Sequence, residues 1–328
     1  MSTPEPQDGG ILGIHHVTAI AADPRTNVGF YTDVVGQRMV KKTVNFDDPG
    51  SYHLYYGDEL GHPGSIMTFF AWPGAPRGER GLGQVTVTAY AVPAGSLGFW
   101  EERLGAAARG RSLRFGDEVL TVSDPDGLEL ELVEVDDAGA RPWWPGGPVA
   151  AEHAVRNFAG VTLTVRDLEP TARLLDDMGL RRAGEAGSRV RFVAGAGADA
   201  AGVDVVEHPT GARGRQAAGI VHHVAWRVSD DAAQLAWRER LLERGLAVTE
   251  VRDRRYFRSI YFREPGGVLF EIATDPPGFT RDETPEALGT SLKLPPWLEK
   301  ERARIEGALP PLDLPSSPDP TCGRTVRS

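Results

Sequence analysis

Hydrophobic and polar residues alternate in short stretches of the chain, beginning with IHHVTAI at 14–20. Alternation with a period of two predicts a β-strand with one buried face. A helix is predicted next, in ADPRTNVGFYTDVVGQ (22–37), because Asp23 is a suitable N-cap and Pro24 fits the first helical position. Three more strands are predicted in RMVKKTV, YHLYYG and SIMTFF. This first stretch therefore predicts a strand, a helix and three further strands.

The same order of elements is predicted four times along the chain. The four modules span about residues 11–75, 82–136, 157–208 and 219–275, which is typical of an internal structural repeat. The turn sequences DPDG and EPGG precede the last strands of the second and fourth modules. Because one such module cannot bury its sheet alone, modules should pair. The predicted fold class is α+β, with four βαβββ modules pairing into curved mixed sheets around a cavity.

The linear order also predicts two domains and a tail. RPWWPGGP, rich in proline and glycine, indicates a linker at 141–150 between an N-terminal domain at 11–140 and a C-terminal domain at 151–280. Residues 281–328 hold a helix candidate, PPWLEKERARIEGAL, and a proline-rich tail, PPLDLPSSPDP. We expect residues after about Leu309 to be too polar and proline-rich to join the core.

Composition excludes several classes of partner. The chain has 328 residues and a formal net charge of −10 at pH 7, which argues against nucleic acid and against an anionic membrane surface as partners. We find neither an apolar run long enough to cross a bilayer nor the features of a signal peptide. The single cysteine, Cys322, predicts a reducing, cytoplasmic location without structural disulfides. A homo-oligomer is compatible with these features.

Histidine pairs open the first strands of the first and fourth modules. HHV occurs at 15–17 and at 222–224, so the two pairs hold half of the eight histidines. Neighbouring residues of a strand face opposite sides, so one histidine of each pair can be a direct metal ligand. Aligned first strands place His16 over Thr86 of the second module and His223 over Gly160 of the third. This alignment selects His16 and His223.

The same geometry sorts the neighbours of these two histidines. Thr18 shares the face of His16, because it lies two residues further along the strand. His15 and His222 should face the other side, so a bulge or a twist is needed to bring them near the same cavity.

Two glutamates occupy one position in the last strands. Glu131 and Glu271 each lie six residues after the proline of the preceding turn. Glu131 lies in LELEL, whose alternation predicts a solvent-facing side chain that binds no metal. Glu271 lies in VLFEIA, where a lone buried carboxylate costs several kcal/mol unless it is paired or bound to a cation.

Two neutral imidazoles and one carboxylate form a facial triad that leaves open positions on non-haem iron. The first and fourth modules, which carry these residues, should therefore face each other around a metal-containing cavity. The second and third modules lack the histidines and should form a metal-free counterpart.

Longer stretches of the sequence resemble one family. GIHHVT, FYTDVVGQRMVKKTVNFDD, YHLYYGDELGHPGSIMTFF and DRRYFRSIYFREPGGVLFEIATDPPGF resemble the vicinal oxygen chelate (glyoxalase/bleomycin resistance/extradiol dioxygenase) superfamily. Within it they are similar to ring-cleaving dioxygenases acting on hydroquinones, such as chlorohydroquinone 1,2-dioxygenase. The resemblance covers most of residues 11–280 and is densest in the first and fourth modules.

The resemblance implies a set of site residues. The iron ligands of the family fall on His16, His223 and Glu271. Residues near the metal fall on a second set, which comprises His15, Thr18, His222, Arg254 and Tyr261. His222 or Tyr261 would handle the substrate proton, Arg254 would stabilise negative charge, and His15, Thr18, Arg254 and Tyr261 would bind substrate. Arg255 is the alternative to Arg254, because both lie in one basic cluster.

The expected function is an Fe(II)-dependent ring-cleaving dioxygenase, with Mn(II) as an alternative metal. Its partners would be O₂ and a small aromatic diol, a hydroquinone or substituted hydroquinone, with catechol as the alternative substrate. Other candidates are a metal-dependent glyoxalase-like isomerase or thiol transferase and a non-catalytic small-molecule binding protein. The isomerase would want a fourth protein ligand, and Thr68 occupies the position from which it would come.

Overall fold

The predicted order of elements occurs four times in the computed structural model, which describes residues 10–312. The first module comprises β1 (Ile14–Ala21), α1 (Pro24–Gly29), β2 (Arg38–Asn45), β3 (Asp48–Gly57) and β4 (Ile66–Ala71). The second comprises β5 (Gln84–Val92), α2 (Leu97–Leu104), β6 (Ala108–Arg114), β7 (Asp117–Ser123) and β8 (Glu129–Glu134). The third comprises β9 (Phe158–Val165), α3 (Leu168–Asp177), β10 (Arg181–Ala186), β11 (Arg189–Ala194) and β12 (Ala201–Glu207). The fourth comprises β13 (Val221–Val228), α4 (Asp231–Glu243), β14 (Arg252–Asp253), β15 (Arg258–Arg263) and β16 (Leu269–Thr274).

These strands form two curved, mixed sheets of eight strands each. One sheet combines the first and fourth modules in the order β14-β15-β16-β13-β1-β4-β3-β2. The other combines the second and third in the order β10-β11-β12-β9-β5-β8-β7-β6. The modules of a sheet meet at their first strands, which pair antiparallel as β1 with β13 and β5 with β9. The predicted fold class and the pairing of the first module with the fourth are both confirmed.

Local sequence explains where the helices begin. The Asp23 carboxylate accepts a hydrogen bond from the backbone N–H of Thr26 at 2.7 Å, and Pro24 is the first helical residue, as predicted. Aspartates cap α3 and α4 in the same way. The helices α2, α3 and α4 pack on strands of their own modules, and the opposite, concave faces of the sheets remain available for cavities.

The C-terminal segment packs on the first module. It contains one short helix, α5 (Arg302–Ala308), in the second half of the predicted helix. The hydroxyl of Tyr52 donates to the carbonyl of Pro310 at 3.1 Å, and Leu312 is buried in the main core. The expectation that packing stops near Leu309 is therefore wrong, because the chain continues along β3 to Leu312. The rest of the proline-rich tail and Cys322 lie outside the described residues.

No helix within residues 10–312 is both long and apolar enough to cross a membrane.

A buried ion-pair cluster attaches the C-terminal segment to β2. The Lys41 side chain is fully buried, and its Nζ lies 2.7 Å from Oδ1 of Asp282 and 2.5 Å from Oε2 of Glu283. Nζ also donates to the carbonyl of Phe279 at 3.1 Å. Phe279 in turn packs on Tyr55, with ring centroids 5.2 Å apart. The segment therefore packs against side chains of both β2 and β3.

We expect Lys41→Met to destabilise the protein by about 3–5 kcal/mol, because it leaves the buried Glu283 carboxylate without its cation. Urea unfolding measures this change. Lys300→Met is the matched control on an exposed site of the same segment and should change the unfolding free energy by less than about 0.5 kcal/mol. Equal stabilities of the two variants would contradict the structural role of the cluster.

Candidate metal centre

Three predicted ligands meet on three adjacent strands. His16 of β1, His223 of β13 and Glu271 of β16 are all buried. Nε2 of His16 lies 3.3 Å from Nε2 of His223, and the two nitrogens lie 3.4 Å and 2.9 Å from Oε2 of Glu271. Within residues 10–312 this is the one group of three or more such side chains that could hold a metal ion. Adjacent ligands with bonds of about 2.1 Å have donor atoms about 3 Å apart, so the spacing suits one ion.

Two β-bulges place both histidine pairs at the centre. In the β1–β13 pairing, Ile14 and His16 oppose consecutive residues of β13, so His15 is the extra residue. Likewise Thr18 and Ala19 oppose His223 and Val221, which makes His222 the extra residue of β13. These bulges are the departure from strict alternation that was predicted to bring His15 and His222 to the side of the ligand histidines.

Each bulged histidine contacts the ring of its neighbour. Nδ1 of His15 lies 2.9 Å from Nδ1 of His16, and Nδ1 of His222 lies 2.8 Å from Nδ1 of His223. If Nε2 of each inner ring presents a lone pair to an ion, its proton lies on Nδ1 and is donated to the outer ring. The outer ring then carries its own proton on Nε2. His222 lines the cavity next to the triad, whereas His15 does not.

The electrostatics of the triad favour a cation. Burial opposes the charge of Glu271, but His16 and His223 outweigh it and hold the pKa of this carboxyl well below its usual range. Burial lowers the pKa of His223 and so keeps its ring neutral. Ser259 donates to Oε1 of Glu271 at 2.5 Å, while Oε2 is buried without a well-formed hydrogen bond. Two imidazole nitrogens and an unsatisfied carboxylate oxygen are suitable ligands for a divalent metal.

The triad opens into a cavity of about 230 Å³. Six aromatic side chains provide much of its lining: Phe46, Tyr55, Phe70, Trp72, Phe257 and Tyr261. The size and the aromatic walls suit one small, flat ligand.

Arg254 and Tyr261 form one polar wall of this cavity. Nε of Arg254 donates to the hydroxyl of Tyr261 at 3.0 Å, and its Nη2 donates to Oδ2 of Asp47 at 2.9 Å. Burial raises the pKa of Tyr261, so its hydroxyl stays protonated. Arg255 instead faces Asp282 outside the cavity. Asp47 was not predicted from the sequence, because the β2–β3 turn meets β14 only in the folded chain.

The opposite wall contains hydrogen-bonded side chains of the first module. Oγ1 of Thr68 donates to Oγ1 of Thr18 at 2.9 Å and lies 2.8 Å from Nε2 of His53. The hydroxyl of Tyr55 lies 2.9 Å from Nδ1 of His53. Thr18 is fully buried and is not part of the cavity lining, whereas His53 and Tyr55 line the cavity. Sequence reasoning missed His53, although YHLYYG places it one alternation step from Tyr55 on the same face.

The second sheet has no histidine at the corresponding positions. In the first sheet His16 pairs with Ala225, and in the second sheet Val87 pairs with Thr162 at the same place. Val87 therefore corresponds to His16. The sequence alignment of His16 with Thr86 is wrong by one residue. Gly160 stands in the place of His223, as predicted. Thr86 is the bulged residue of β5, as His15 is of β1, so Thr86 corresponds to His15 and not to His16.

Glu131 faces a second cavity, also of about 230 Å³, on the concave side of this sheet. Its side chain is buried and accepts a hydrogen bond from Nη2 of Arg114 at 3.2 Å. The predicted solvent exposure of Glu131 is wrong, because Glu131 faces a cavity that is lined by the ion pair of Arg191 and Asp204. Nearby, Arg189 and Arg191 both pair with Asp204. Glu131 belongs to no candidate metal cluster among the described residues.

Comparisons with known proteins agree with this architecture. A family model described as the Glyoxalase/Bleomycin resistance protein/Dioxygenase superfamily matches residues 13–272. The chain is 48% identical over 306 residues to a Bacillus subtilis (strain 168) protein provisionally named ring-cleaving dioxygenase MhqO, covering 92% of this chain and 97% of that protein. It is 38% identical over 304 residues to the chlorohydroquinone/hydroquinone 1,2-dioxygenase of Sphingobium indicum, covering 88% and 93%.

Solved structures give the same result. A Bacillus subtilis crystal structure provisionally described as a dioxygenase has a TM-score of 0.89 at 47% identity, covering 93% of this chain and 98% of that chain. Glyoxalase I from Zea mays has a TM-score of 0.59 at 15% identity, covering 80% and 92%, and shares the fold alone. The resemblance to ring-cleaving dioxygenases is confirmed, and the chain belongs to the Glyoxalase/Bleomycin resistance protein/Dioxygenase superfamily.

Proposed function

We propose that this chain is an Fe(II)-dependent dioxygenase that cleaves the ring of a hydroquinone or substituted hydroquinone. The observation that carries the proposal is the buried triad of His16, His223 and Glu271 at one end of an aromatic cavity. The relatives named as ring-cleaving dioxygenases support the reaction class. The substrate class comes from the relative named for chlorohydroquinone and hydroquinone.

The donor set supports iron as the resident metal. Two imidazole nitrogens and one carboxylate oxygen would hold one side of the ion and leave the other side open. When bound, Fe(II) would supply positions for a substrate oxygen and O₂ and a path for electrons between them. Mn(II) accepts similar ligands and is the alternative metal.

The cavity residues have distinct proposed roles. Burial lowers the pKa of His222 to about 3, so its ring is neutral. With Nδ1 accepting from Nδ1 of His223, it would present Nε2–H as a donor. His222 and the protonated Tyr261 are the candidates to donate to substrate oxygens and to return a proton late in the reaction. Arg254 would hold negative charge that develops on the substrate. His15 would act through the orientation of His16.

The polar wall also favours hydroquinone over catechol. A catechol can bind the metal through two adjacent oxygens, whereas a hydroquinone can use only one, so protein donors must hold the second. Arg254 and Tyr261 provide such donors on the cavity wall. An isomerase of the superfamily would need a fourth protein ligand on the first module. The position there that corresponds to Glu271 is Thr68, because Thr68 pairs with Thr18 on β1 in the same way that Glu271 pairs with Ala225 on β13. A hydroxyl therefore occupies that position.

O₂ uptake by the Fe(II)-loaded protein tests the substrate class. With hydroquinone, catechol, gentisate and a glutathione hemithioacetal as substrates, we expect the highest kcat/KM for hydroquinone. A preference for catechol would retain the dioxygenase and reject the hydroquinone assignment. Turnover of the hemithioacetal without O₂ uptake would instead indicate an isomerase.

Metal analysis tests the ligand assignment. Glu271→Gln removes the anionic ligand with little change in shape, so we expect loss of bound iron and of activity. Glu131→Gln is the matched control, because Glu131 is a buried glutamate on the last strand of the second module, as Glu271 is on the last strand of the fourth. It should retain one iron per chain. Equal iron contents of the two variants would contradict the assignment.

Asp47→Asn tests the orientation of Arg254. Because Asp47 is 56% exposed, loss of the ion pair should leave thermal stability nearly unchanged. We expect KM for hydroquinone to rise about fivefold, which corresponds to about 1 kcal/mol of binding. Glu250→Gln removes the exposed pair with Arg238 in the same module and should leave KM unchanged. An unchanged KM in Asp47→Asn would show that Arg254 needs no support from Asp47.

A further inference from the structure

A chain of hydrogen bonds runs through the first-module wall of the cavity. It links the hydroxyl of Tyr55, the ring of His53 and the hydroxyls of Thr68 and Thr18, with donor–acceptor distances between 2.8 and 2.9 Å. Thr18, Thr68 and Tyr55 are almost completely buried. No role in the proposed function has been assigned to His53, Tyr55 or Thr68.

The direction of the Thr68–Thr18 hydrogen bond sets the roles of the other groups in this chain. Thr68 donates its only hydroxyl proton to Thr18, so it must accept a proton from Nε2 of His53. Burial lowers the pKa of His53 well below its usual value, so the ring is neutral and has a single N–H. Nδ1 of His53 therefore accepts from the hydroxyl of Tyr55. All the donors point from Tyr55 toward Thr18.

The hydroxyl proton of Thr18 remains without an acceptor. Oγ1 of Thr18 accepts a hydrogen bond from Thr68. Within residues 10–312, no group accepts the hydroxyl proton of Thr18 in turn. A buried donor left unsatisfied costs about 1–3 kcal/mol. Thr18 lies on the face of His16 and directly opposite His223 in the β1–β13 pairing. Thr18 does not line the cavity itself, but an acceptor bound between His16 and His223 would lie on the same face of the sheet and would satisfy this donor.

We propose that His53 is a positioning residue that, through Thr68, directs the Thr18 hydroxyl proton to the phenolic oxygen of a substrate held at the candidate metal centre. This inference rests on the proposed function and names a specificity element of the same site. Because Nε2–H of His53 donates to Oγ1 of Thr68, the hydroxyl proton of Thr68 is directed to Thr18. Without that donor, Thr68 and Thr18 can exchange roles, and the Thr18 proton turns away from the centre.

Binding of 4-nitrophenol, a monophenol with one ionisable oxygen, tests the inference without turnover. Titrations use anaerobic Fe(II)-loaded protein, with iron content and melting temperature measured for every variant. We expect His53→Leu and Thr68→Val each to raise the Kd about tenfold, the effect of about one hydrogen bond. Thr68→Ser retains the hydroxyl and His53→Gln retains a donor, so both should recover most of the affinity.

Coupling between positions separates this role from a merely structural one. Because Thr68 acts through Thr18, Thr18→Val combined with Thr68→Val should bind no more weakly than Thr18→Val alone. Thr164→Val removes a threonine–threonine hydrogen bond of the second sheet and is the matched control with unchanged Kd. If Thr68→Val behaves like this control, or if its effect adds to that of Thr18→Val, the inference is wrong. The proposed function has a separate test. If the wild-type protein binds no iron and takes up no O₂ with hydroquinone, the proposed function itself is wrong.

Discussion

The carboxylate of Glu271 imposes the strongest constraint on the centre of the molecule. It is fully buried, and a buried carboxylate is stable only with a counter-charge or with several hydrogen bonds. Ser259 donates to one of its oxygens, while the other lies 3.4 Å and 2.9 Å from Nε2 of His16 and of His223. The paired bulges of β1 and β13 serve this arrangement, because each turns a second histidine toward the ring of a ligand histidine. A cation at this point would satisfy all three donors together.

The second sheet meets the same constraint by another means. Asp204 opposes Thr162 as Glu271 opposes Ala225, so an acidic residue again occupies the inner face of the strand beside the first strand. Here the charge is balanced by Arg189 and Arg191, which both pair with Asp204. Two equivalent half-barrels thus hold buried carboxylates, one with imidazoles around an ion-sized gap and the other with guanidinium groups. The two cavities therefore differ mainly in the groups that neutralise the buried carboxylate, and much less in the pairing of their strands.

Local patterns account for what the sequence predicted correctly. Period-two alternation, N-caps and glycine-rich turns act over a few residues, so the four modules and their order could be read from them. The inner-face position of Glu271 followed from its apolar neighbours. Alternation could not show that the polar face around Glu131 is enclosed, since the enclosing strands come from another module. Asp47 was missed for the same reason, because it meets Arg254 only in the folded chain. His53 lies beside Tyr55 on one strand, but its other partner, Thr68, comes from β4.

The two walls of the cavity differ although the sheet that forms them is nearly twofold symmetric. Tyr55 opposes Thr68 as Tyr261 opposes Glu271, so tyrosines occupy equivalent positions on both sides. On the fourth-module side the tyrosine hydroxyl accepts from Arg254, which adds positive charge. On the first-module side only neutral donors follow one another toward Thr18. In the proposed reaction, the ring and O₂ would meet between these two different walls, and divergence of the repeats at a few positions produces the difference without any change in fold.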